Sequence, residues 1–495
     1  MLGSLRAARA DPRTAGSEGL EPMNIRSNRR VFAAAALALV AQLAAGCRGG
    51  GETKGNEGAA QKPATTSAAG TGTAATPAAP PPTAIQLPAP AVPNAAEAKK
   101  YAGAKITFYG DSVGIMAELD KVMAKRFQDD TGIEVRVVPR PKEATETYAA
   151  YQRMFQGQSA DVDVMTVDVI WPGAFAQNLV DLGPKLGEAA KGHVQTLIEN
   201  STVDGKLVAM PWFTDFGILY YRTDLLQKYG FAKAPETWDE LEAQAKKILE
   251  GEKATNAALT GFVWQGKAYE GLTCNALEWV YSHGGGTLVD DKKITVNNPQ
   301  AAKALTRARG WVGGISPAGV TGYTEEEVRN VFQTGNAVFM RNWPYAYALG
   351  NDEKSAIKGK FDVAPLPHEP GQKSAGTAGG WNLAVSKYSK SPDAAIELVR
   401  YLASPEGQRY RAIVGSVVPT VTAMQADAEV AKKIPFLEKV RGGLEVVPRP
   451  SRSTGTRYNE ASIAFFQGVS QVLSGKEASA VLPGVEQRMT RTLEQ

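Results

Sequence analysis

The stretch MPWFTDFGILYYRTDLL, residues 210–226, has the apolar and aromatic content of a buried strand, yet it carries Asp215 in its middle. Burying an unpaired carboxylate is costly, so Asp215 must reach solvent or meet a partner. That partner is either a neighbouring backbone group or a bound ligand. The surrounding sequence decides between a structural and a functional aspartate.

The composition narrows the class of protein. The chain has 495 residues, 43% of them apolar, so more than one folded unit is expected. The net charge of +4 comes without any cluster of basic residues interleaved with aromatics, so no nucleic-acid partner is predicted. Two cysteines, Cys47 and Cys274, and three scattered histidines form no disulfide framework and no metal motif. We therefore predict neither a metal nor a cofactor.

Residues 1–47 are predicted to be a signal peptide, with Met23 as the true start. The basic run MNIRSNRR precedes the apolar run VFAAAALALVAQLAAG and then Cys47. LAAGC resembles a bacterial lipobox, which implies lipidation of Cys47 and a periplasmic or extracytoplasmic protein held to the membrane. Simple secretion with an unmodified cysteine is the alternative. The paired Arg29 and Arg30 leave open whether export uses the general or the twin-arginine route.

Residues 48–100 are rich in Gly, Ala, Pro and Thr and contain few large apolar residues. Such a segment buries too little surface to offset its ordering entropy, so it predicts a disordered tether. From Lys105 the pattern changes. KITFYG, IEVRVVP and DVDVMTVD read as strands separated by amphipathic helices, which indicates an α/β protein with a mainly parallel sheet. Thr237 with Glu240 and Thr324 with Glu327 predict capping boxes at two helix starts.

Ligands of open α/β sheets bind beyond the carboxyl ends of the strands. Asp168 ends one predicted strand, Trp343 follows another, and Asp215 lies at the predicted start of a third. Carboxylates and flat aromatic rings are what a sugar site needs, because carboxylates accept hydroxyl hydrogen bonds and rings pack on pyranose faces. Asp168 as a helix cap, the tryptophans as core residues and Arg449 as a loop residue remain structural alternatives.

The stretch at 210–226 also begins a run of motifs that resembles a known family. These motifs are DVIWPGAFA, PWFTDFGILYYRTDLLQKYGF, PETWDELEAQAKKI, GFVWQGKAYEGLTC, EWVYSHGGG, GNAVFMRNWPYAY, VAPLPHEPGQKSAGTAGGWNLAVSKYS and VPRPS. Over about residues 105–490 the chain resembles the extracellular solute-binding proteins of ABC sugar importers, particularly the trehalose/maltose-binding branch. The resemblance implies a periplasmic-binding-protein-like fold of two α/β lobes that close like a flytrap on a ligand cleft. It divides the chain into lobe 1 (101–213 and 378–432) and lobe 2 (214–377 and 433–495).

The resemblance also implies roles for individual residues. Asp168 and Asp215 correspond to hydroxyl-binding carboxylates, and Arg449 to an arginine that holds the disaccharide. The stacking and packing positions are Trp343, Tyr345, Gly379, Gly380 and Trp381. Phe213 stands where the branch often has Tyr. The branch also uses a Glu after the first strand and an Arg in the following helix, and neither is in register in GDSVGIM or TETYAAYQ.

The implied function is capture of a trehalose- or maltose-like disaccharide for an ABC permease and its ATPase, by a monomer that is not an enzyme. Another oligosaccharide, a sugar alcohol or a non-sugar solute is the alternative ligand. A cell-surface glycoside hydrolase is the rival of another class, because two carboxylates around a sugar also serve hydrolysis. Whether Glu270 in the YEG motif contacts the ligand stays open.

Overall fold

The computed structural model describes residues 79–291 and 293–495. The predicted signal peptide, Cys47 and most of the predicted tether lie outside the described residues, so those interpretations stay predictions. Within the described part of the chain, no helix has the length and apolar character that crossing a bilayer requires.

The strands form two main sheets and two small ribbons. The first sheet has the order β14-β13-β3-β1-β2, with β6 also paired to β13, and the second has the order β12-β7-β11-β8. The strands are β1 (Lys105–Gly110), β2 (Glu134–Pro139), β3 (Val164–Asp168), β4 (Thr202–Val203), β5 (Lys206–Leu207), β6 (Met210–Phe216), β7 (Ile218–Arg222), β8 (Thr260–Val263), β9 (Val289–Asp290), β10 (Lys293–Ile294), β11 (Ala337–Asn342), β12 (Phe361–Ala364), β13 (Ala375–Val385) and β14 (Glu445–Val447).

Both sheets are mixed rather than mainly parallel. Strand β1 is parallel to β2 and β3 as predicted, whereas β13 runs antiparallel to β3 and β6. In the second sheet, β11 is parallel to β8 and antiparallel to β7.

The stretch at 210–226 supplies a strand to each sheet, so its interpretation as one strand is wrong. Strand β6 ends at Phe216, Gly217 separates it from β7, and Thr223 begins a helix. A side chain at Gly217 would place its Cβ 2.0 Å from an oxygen of Glu278, so only glycine fits this junction. Asp215 lies at the end of β6, not at the start of a strand as predicted.

The α-helices pack on these sheets, and their starts agree in part with the sequence. They are α1 (Ala95–Ala98), α2 (Met116–Thr131), α3 (Ala144–Gln156), α4 (Pro172–Phe175), α5 (Gly183–Ala190), α6 (Gln195–Asn200), α7 (Thr223–Lys228), α8 (Trp238–Glu252), α9 (Glu270–Ser282), α10 (Pro299–Trp311), α11 (Glu325–Gln333), α12 (Ala346–Gly350), α13 (Pro392–Leu402), α14 (Pro405–Gly415), α15 (Ala428–Lys433), α16 (Phe436–Val440), α17 (Ser451–Thr454), α18 (Tyr458–Leu473) and α19 (Ala478–Leu493). Both predicted capping boxes are present, before α8 and α11. Asp168 caps no helix, because α4 begins only at Pro172.

The last part of the predicted tether is packed, which corrects the prediction that it is disordered as far as residue 100. Ala89, Val92 and Ala98 are buried in the same apolar cluster as β1, α2 and α13. Small apolar residues of the Ala/Pro-rich segment fill gaps between these helices, which the composition alone did not reveal. Strands of the second sheet lie in two other clusters, one with α8–α10, α18 and α19 and one with α16.

Candidate functional site

A cavity of about 660 Å³, counting the solvent at its mouth, collects side chains from both sheets. All nine residues proposed from the sequence line it: Asp168, Phe213, Asp215, Trp343, Tyr345, Gly379, Gly380, Trp381 and Arg449. The structure therefore brings the proposed residues to one place, whatever they bind.

The pairing of β6 with β13 forms the floor of this cavity. Asp215 lies opposite Gly379, and Phe213 lies opposite Trp381. Side chains of a strand alternate between its two faces, so Phe213 and Asp215 point into the cavity. Thr214 and Phe216, the alternate residues, line a separate apolar groove on the other side.

Two glycines of β13 allow the close approach of this floor. A Cβ on Gly379 would lie 2.9 Å from the indole of Trp343 and 3.2 Å from the Cβ of Asp215. Gly380 has φ +121° and would clash with the carbonyl oxygen of Phe213 at 2.4 Å. A Cβ at Gly379 would displace side chains that face the cavity, and a Cβ at Gly380 would clash with the backbone of β6, so both positions require glycine.

Arg449 is the centre of a buried ionic network. Its Nη2 donates to Asp168 Oδ1 at 2.6 Å, and its Nη1 donates to Glu270 Oε1 at 3.0 Å. Its Nε also donates to the carbonyl of Ala378 at 3.3 Å. Burial lowers the pKa of Arg449, but Asp168 and the other anionic partners hold it well above its ordinary value. Arg449 is thus a buried cation and not the surface loop residue that its flanking prolines allowed.

Glu270 has little capacity left for a ligand. Its two carboxylate oxygens accept from Arg449, from the hydroxyl of Tyr458 at 2.6 Å and from the hydroxyl of Ser462 at 2.6 Å. Burial raises its pKa, although these donors oppose the shift. The arrangement indicates that Glu270 positions Arg449.

Asp215, in contrast, accepts no hydrogen bond within the described ranges, and it is partly exposed to the cavity. Burial raises its pKa well above the ordinary value, and the charges of Asp111 and Asp168 add to this, against the opposing effect of Arg341. No neighbouring backbone group satisfies this carboxylate. A structural hydrogen bond to the backbone is therefore absent among the described residues, which leaves solvent or a ligand as the partner of Asp215.

The aromatic residues around the cavity are held rigidly. The guanidinium of Arg341 lies 4.0 Å from the ring centre of Trp343, and that of Arg140 lies 3.8 Å from Trp381. Such cation–π contacts fix the orientation of an indole ring. Tyr345 donates its hydroxyl to Glu326 at 2.8 Å and is almost fully buried, so it supports the wall more than it offers a polar contact.

Sequence reasoning missed several residues of the cavity. Asp111 directly follows β1 and Arg140 directly follows β2, and the two pair at 3.2 Å. The Nε of Arg140 and the hydroxyl of Tyr269 are buried without a partner among the described residues. Asp111 and Arg140 occupy the carboxyl ends of their strands, the same position that singled out Asp168. The Glu and the helical Arg of the family are not in register in this chain, so the resemblance did not point to Asp111 or Arg140. The sequence around Glu325 gave no sign of a role in the cavity, because an acidic residue in the first turn of a helix such as α11 is typical of helix capping.

The cavity can therefore bind a neutral, hydroxyl-rich molecule. Asp215 and Glu325 offer acceptors, Arg140 and Tyr269 offer donors, and the indole rings offer apolar faces. None of the described His, Cys, Asp and Glu residues forms a group that could hold a metal ion.

Comparisons with known proteins agree with this picture. A profile of the family described as bacterial extracellular solute-binding protein matches residues 109–409. A probable ABC transporter-binding protein of Deinococcus radiodurans is 49% identical over 376 residues, covering 75% of this chain and 90% of that protein. The structure of maltose-bound MalE3 from T. maritima has 39% identity and a TM-score of 0.74, covering 78% of this chain and 99% of that one.

A more distant structure shares the fold. The GacH receptor of Streptomyces glaucescens, solved unliganded and with acarbose, has 24% identity and a TM-score of 0.69, over 79% of this chain and 99% of that one. These likenesses confirm the predicted periplasmic-binding-protein-like α/β fold.

Proposed function

Because the chain belongs to the family of bacterial extracellular solute-binding proteins, we propose that it captures a disaccharide of the trehalose/maltose type and delivers it to an ABC permease for import. The observation that carries the proposal is the carboxylate of Asp215, which accepts no hydrogen bond from any described residue and lines the same cavity as Gly379, Trp343 and Trp381. An ionised carboxylate accepts two hydroxyl hydrogen bonds, and charge-assisted bonds of this kind are the stronger ones. The maltose bound to MalE3 supports the choice of sugar class.

In the proposed complex each group has a distinct role. Asp215 accepts from sugar hydroxyls, and Arg140 donates its free Nε–H to a sugar oxygen. Trp343 and Trp381 pack on pyranose faces. Asp168 receives two bonds from Arg449 and acts mainly by fixing it. Since these residues come from both sheets, sugar binding stabilises the closed cleft, and the closed form is what the permease recognises.

A thermal-shift screen of the purified protein against trehalose, maltose, sucrose, glucose and ribitol tests the sugar class. A ligand at 100 times its Kd stabilises the native state by about 2.7 kcal/mol, so the Tm rises measurably with one disaccharide and not with glucose. The Trp343→Ala variant serves as the control and loses about 1–3 kcal/mol of binding free energy through lost stacking. A Tm that no sugar or polyol raises would contradict the proposal.

Hydrolysis is the second candidate, because a carboxyl group with a raised pKa beside other carboxylates also describes a general acid. The relatives are transport binding proteins, which favours binding alone. Incubation with a chromogenic α-glucoside separates the two functions, and steady release of the chromophore would replace our proposal by a glycosidase.

We also propose that Cys47 carries a lipid that tethers the protein to the outside of a membrane. In Cys47→Ser we expect the protein to move from the detergent phase to the aqueous phase on Triton X-114 partition, with unchanged sugar affinity. Wild-type protein that already partitions into the aqueous phase would favour simple secretion.

A further inference from the structure

Residues 83–92, which we name the strap, lie against helices of the first sheet. The hydroxyl of Tyr401 donates to the carbonyl of Pro90 at 2.8 Å, and the hydroxyl of Tyr410 donates to the carbonyl of Leu87 at 2.7 Å. Tyr401 belongs to α13 and Tyr410 to α14, and both are buried in the apolar cluster that contains residues of the first sheet. These bonds fix the central part of the strap.

Further bonds anchor the end of the strap that leads into the folded body. The N–H of Val92 donates to Asp130 Oδ2 at 3.0 Å, and Asp130 is itself bound by Arg126 at 2.8 Å. Ala89 and Val92 are buried among the side chains of α2 and α13. The strap is thus part of the first-sheet half of the protein.

The other end of the strap reaches a different partner. The N–H of Thr83 donates to Asp352 Oδ2 at 2.8 Å, and its hydroxyl donates to Oδ1 at 2.9 Å. Asp352 lies in the loop between β11 and β12, two strands of the second sheet. Burial raises the pKa of Asp352, but the bonds from the N–H of Lys354 and from Thr83 outweigh burial and hold this pKa below its ordinary value. The carboxylate therefore accepts these bonds in its ionised form.

The loop that holds Asp352 is continuous with residues that line the cavity. It follows directly on Trp343, Tyr345 and α12, and Gly114 of the first-sheet half approaches the ring of Tyr345 and the side chain of Leu349 so closely that a Cβ would lie 2.8 and 2.9 Å from them. Any outward movement of residues 343–352 opens the cavity and moves Asp352 away from Thr83.

We propose that the Thr83–Asp352 contact is a latch that stabilises the closed cleft, so that the segment leading to the N-terminal leader reports whether the cavity is open or closed. Only three residues lie between Thr83 and the anchored Leu87, so the two positions can be at most about 14 Å apart. That length limits how far Thr83 can follow an opening movement. The contact breaks when the cleft opens, and it adds its free energy to the closed state.

The test is hydrogen–deuterium exchange of the full chain without any ligand, so its outcome does not depend on the proposed sugar. Thr83→Pro removes both the N–H and the hydroxyl, whereas Thr83→Ser keeps both donors and is the matched control. Exchange in native proteins reports the population of the open form. Two hydrogen bonds to a charged acceptor predict a rise of about tenfold or more in exchange over residues 343–350 in Thr83→Pro.

The Val92 amide keeps its protection in this variant, because its bond to Asp130 remains. Asp352→Ala gives the same increase, and the double variant exceeds neither single one, since both remove one contact. The proposal is overturned if exchange over residues 343–350 is unchanged in both Thr83→Pro and Asp352→Ala. It is equally overturned if Thr83→Ser behaves like Thr83→Pro.

Discussion

Replacing Arg449 by Met is expected to lower the free energy of unfolding by about 3–5 kcal/mol and to abolish sugar binding. The substitution leaves Asp168 and Glu270 buried around an apolar side chain without their shared cation. Removing one partner of a buried ionic network costs more than the network contributes, because the remaining charges stay desolvated. A chemical denaturation curve at pH 7 measures the loss.

The matched control is Arg452→Met, three residues further along, where the side chain is exposed and the stability should not change. Adding Glu270→Gln to Arg449→Met removes one stranded charge and should restore part of the stability. Denaturation at pH 4 should also narrow the difference from the wild type, because burial raises the pKa of Glu270 and low pH removes its charge. If Arg449→Met retains full stability and loses only binding, Arg449 serves the ligand and not the fold.

Asp215→Asn is expected to raise the Tm of the empty protein at neutral pH and, at the same time, to weaken sugar binding by about 1.5–3 kcal/mol. The pKa of Asp215 is raised in the folded state, mainly by burial, so the folded protein binds a proton more tightly than the unfolded chain does. Wild-type stability therefore falls as the pH rises from the unfolded-state pKa through the folded-state pKa. The amide carries no charge and escapes this loss.

The pH dependence separates this explanation from a general effect of the substitution. The Tm values of wild type and Asp215→Asn should coincide at low pH and diverge as the pH rises, whereas Glu250→Gln, at an exposed helix position, should follow the wild type throughout. Sugar affinity of the wild type should increase with pH through the same range, because the ligand needs the ionised acceptor. Equal Tm values at every pH would show that solvent already satisfies Asp215.

Much of the site could be predicted, because its residues obey local rules of sequence and lie in motifs that follow the same order as in the resembled family. Asp168 follows from the rule on strand ends, and Asp215 from the cost of a carboxylate in an apolar stretch. The same rule applied to every strand would also have given Asp111 and Arg140. What no local rule could give is the role of Glu270, because its partners Tyr458 and Ser462 lie nearly 200 residues away in the chain.

The fold class was predicted correctly. The errors in the predicted strands and tether have physical causes. Residues 210–226 look like one strand because both β6 and β7 are buried, and hydrophobicity does not report which sheet a strand joins. The break at Gly217 is dictated by Glu278, a tertiary contact with no trace in the local pattern. The packing of the strap could not be predicted for a similar reason, because the tyrosine hydroxyls that bind it lie more than 300 residues away in the chain.

The direct passage from β6 to β7 through Gly217 also limits how this protein can diversify. Phe213 and Asp215 face the cavity, and three residues after Asp215 the same chain enters the other sheet. A change that retunes what the cavity accepts therefore acts on the very segment that joins its two halves. A substitution in this segment therefore changes both which ligand the cavity prefers and how easily the cleft closes. New specificities should accordingly arise first at positions such as Asp111 and Arg140, which lie at strand ends away from that junction.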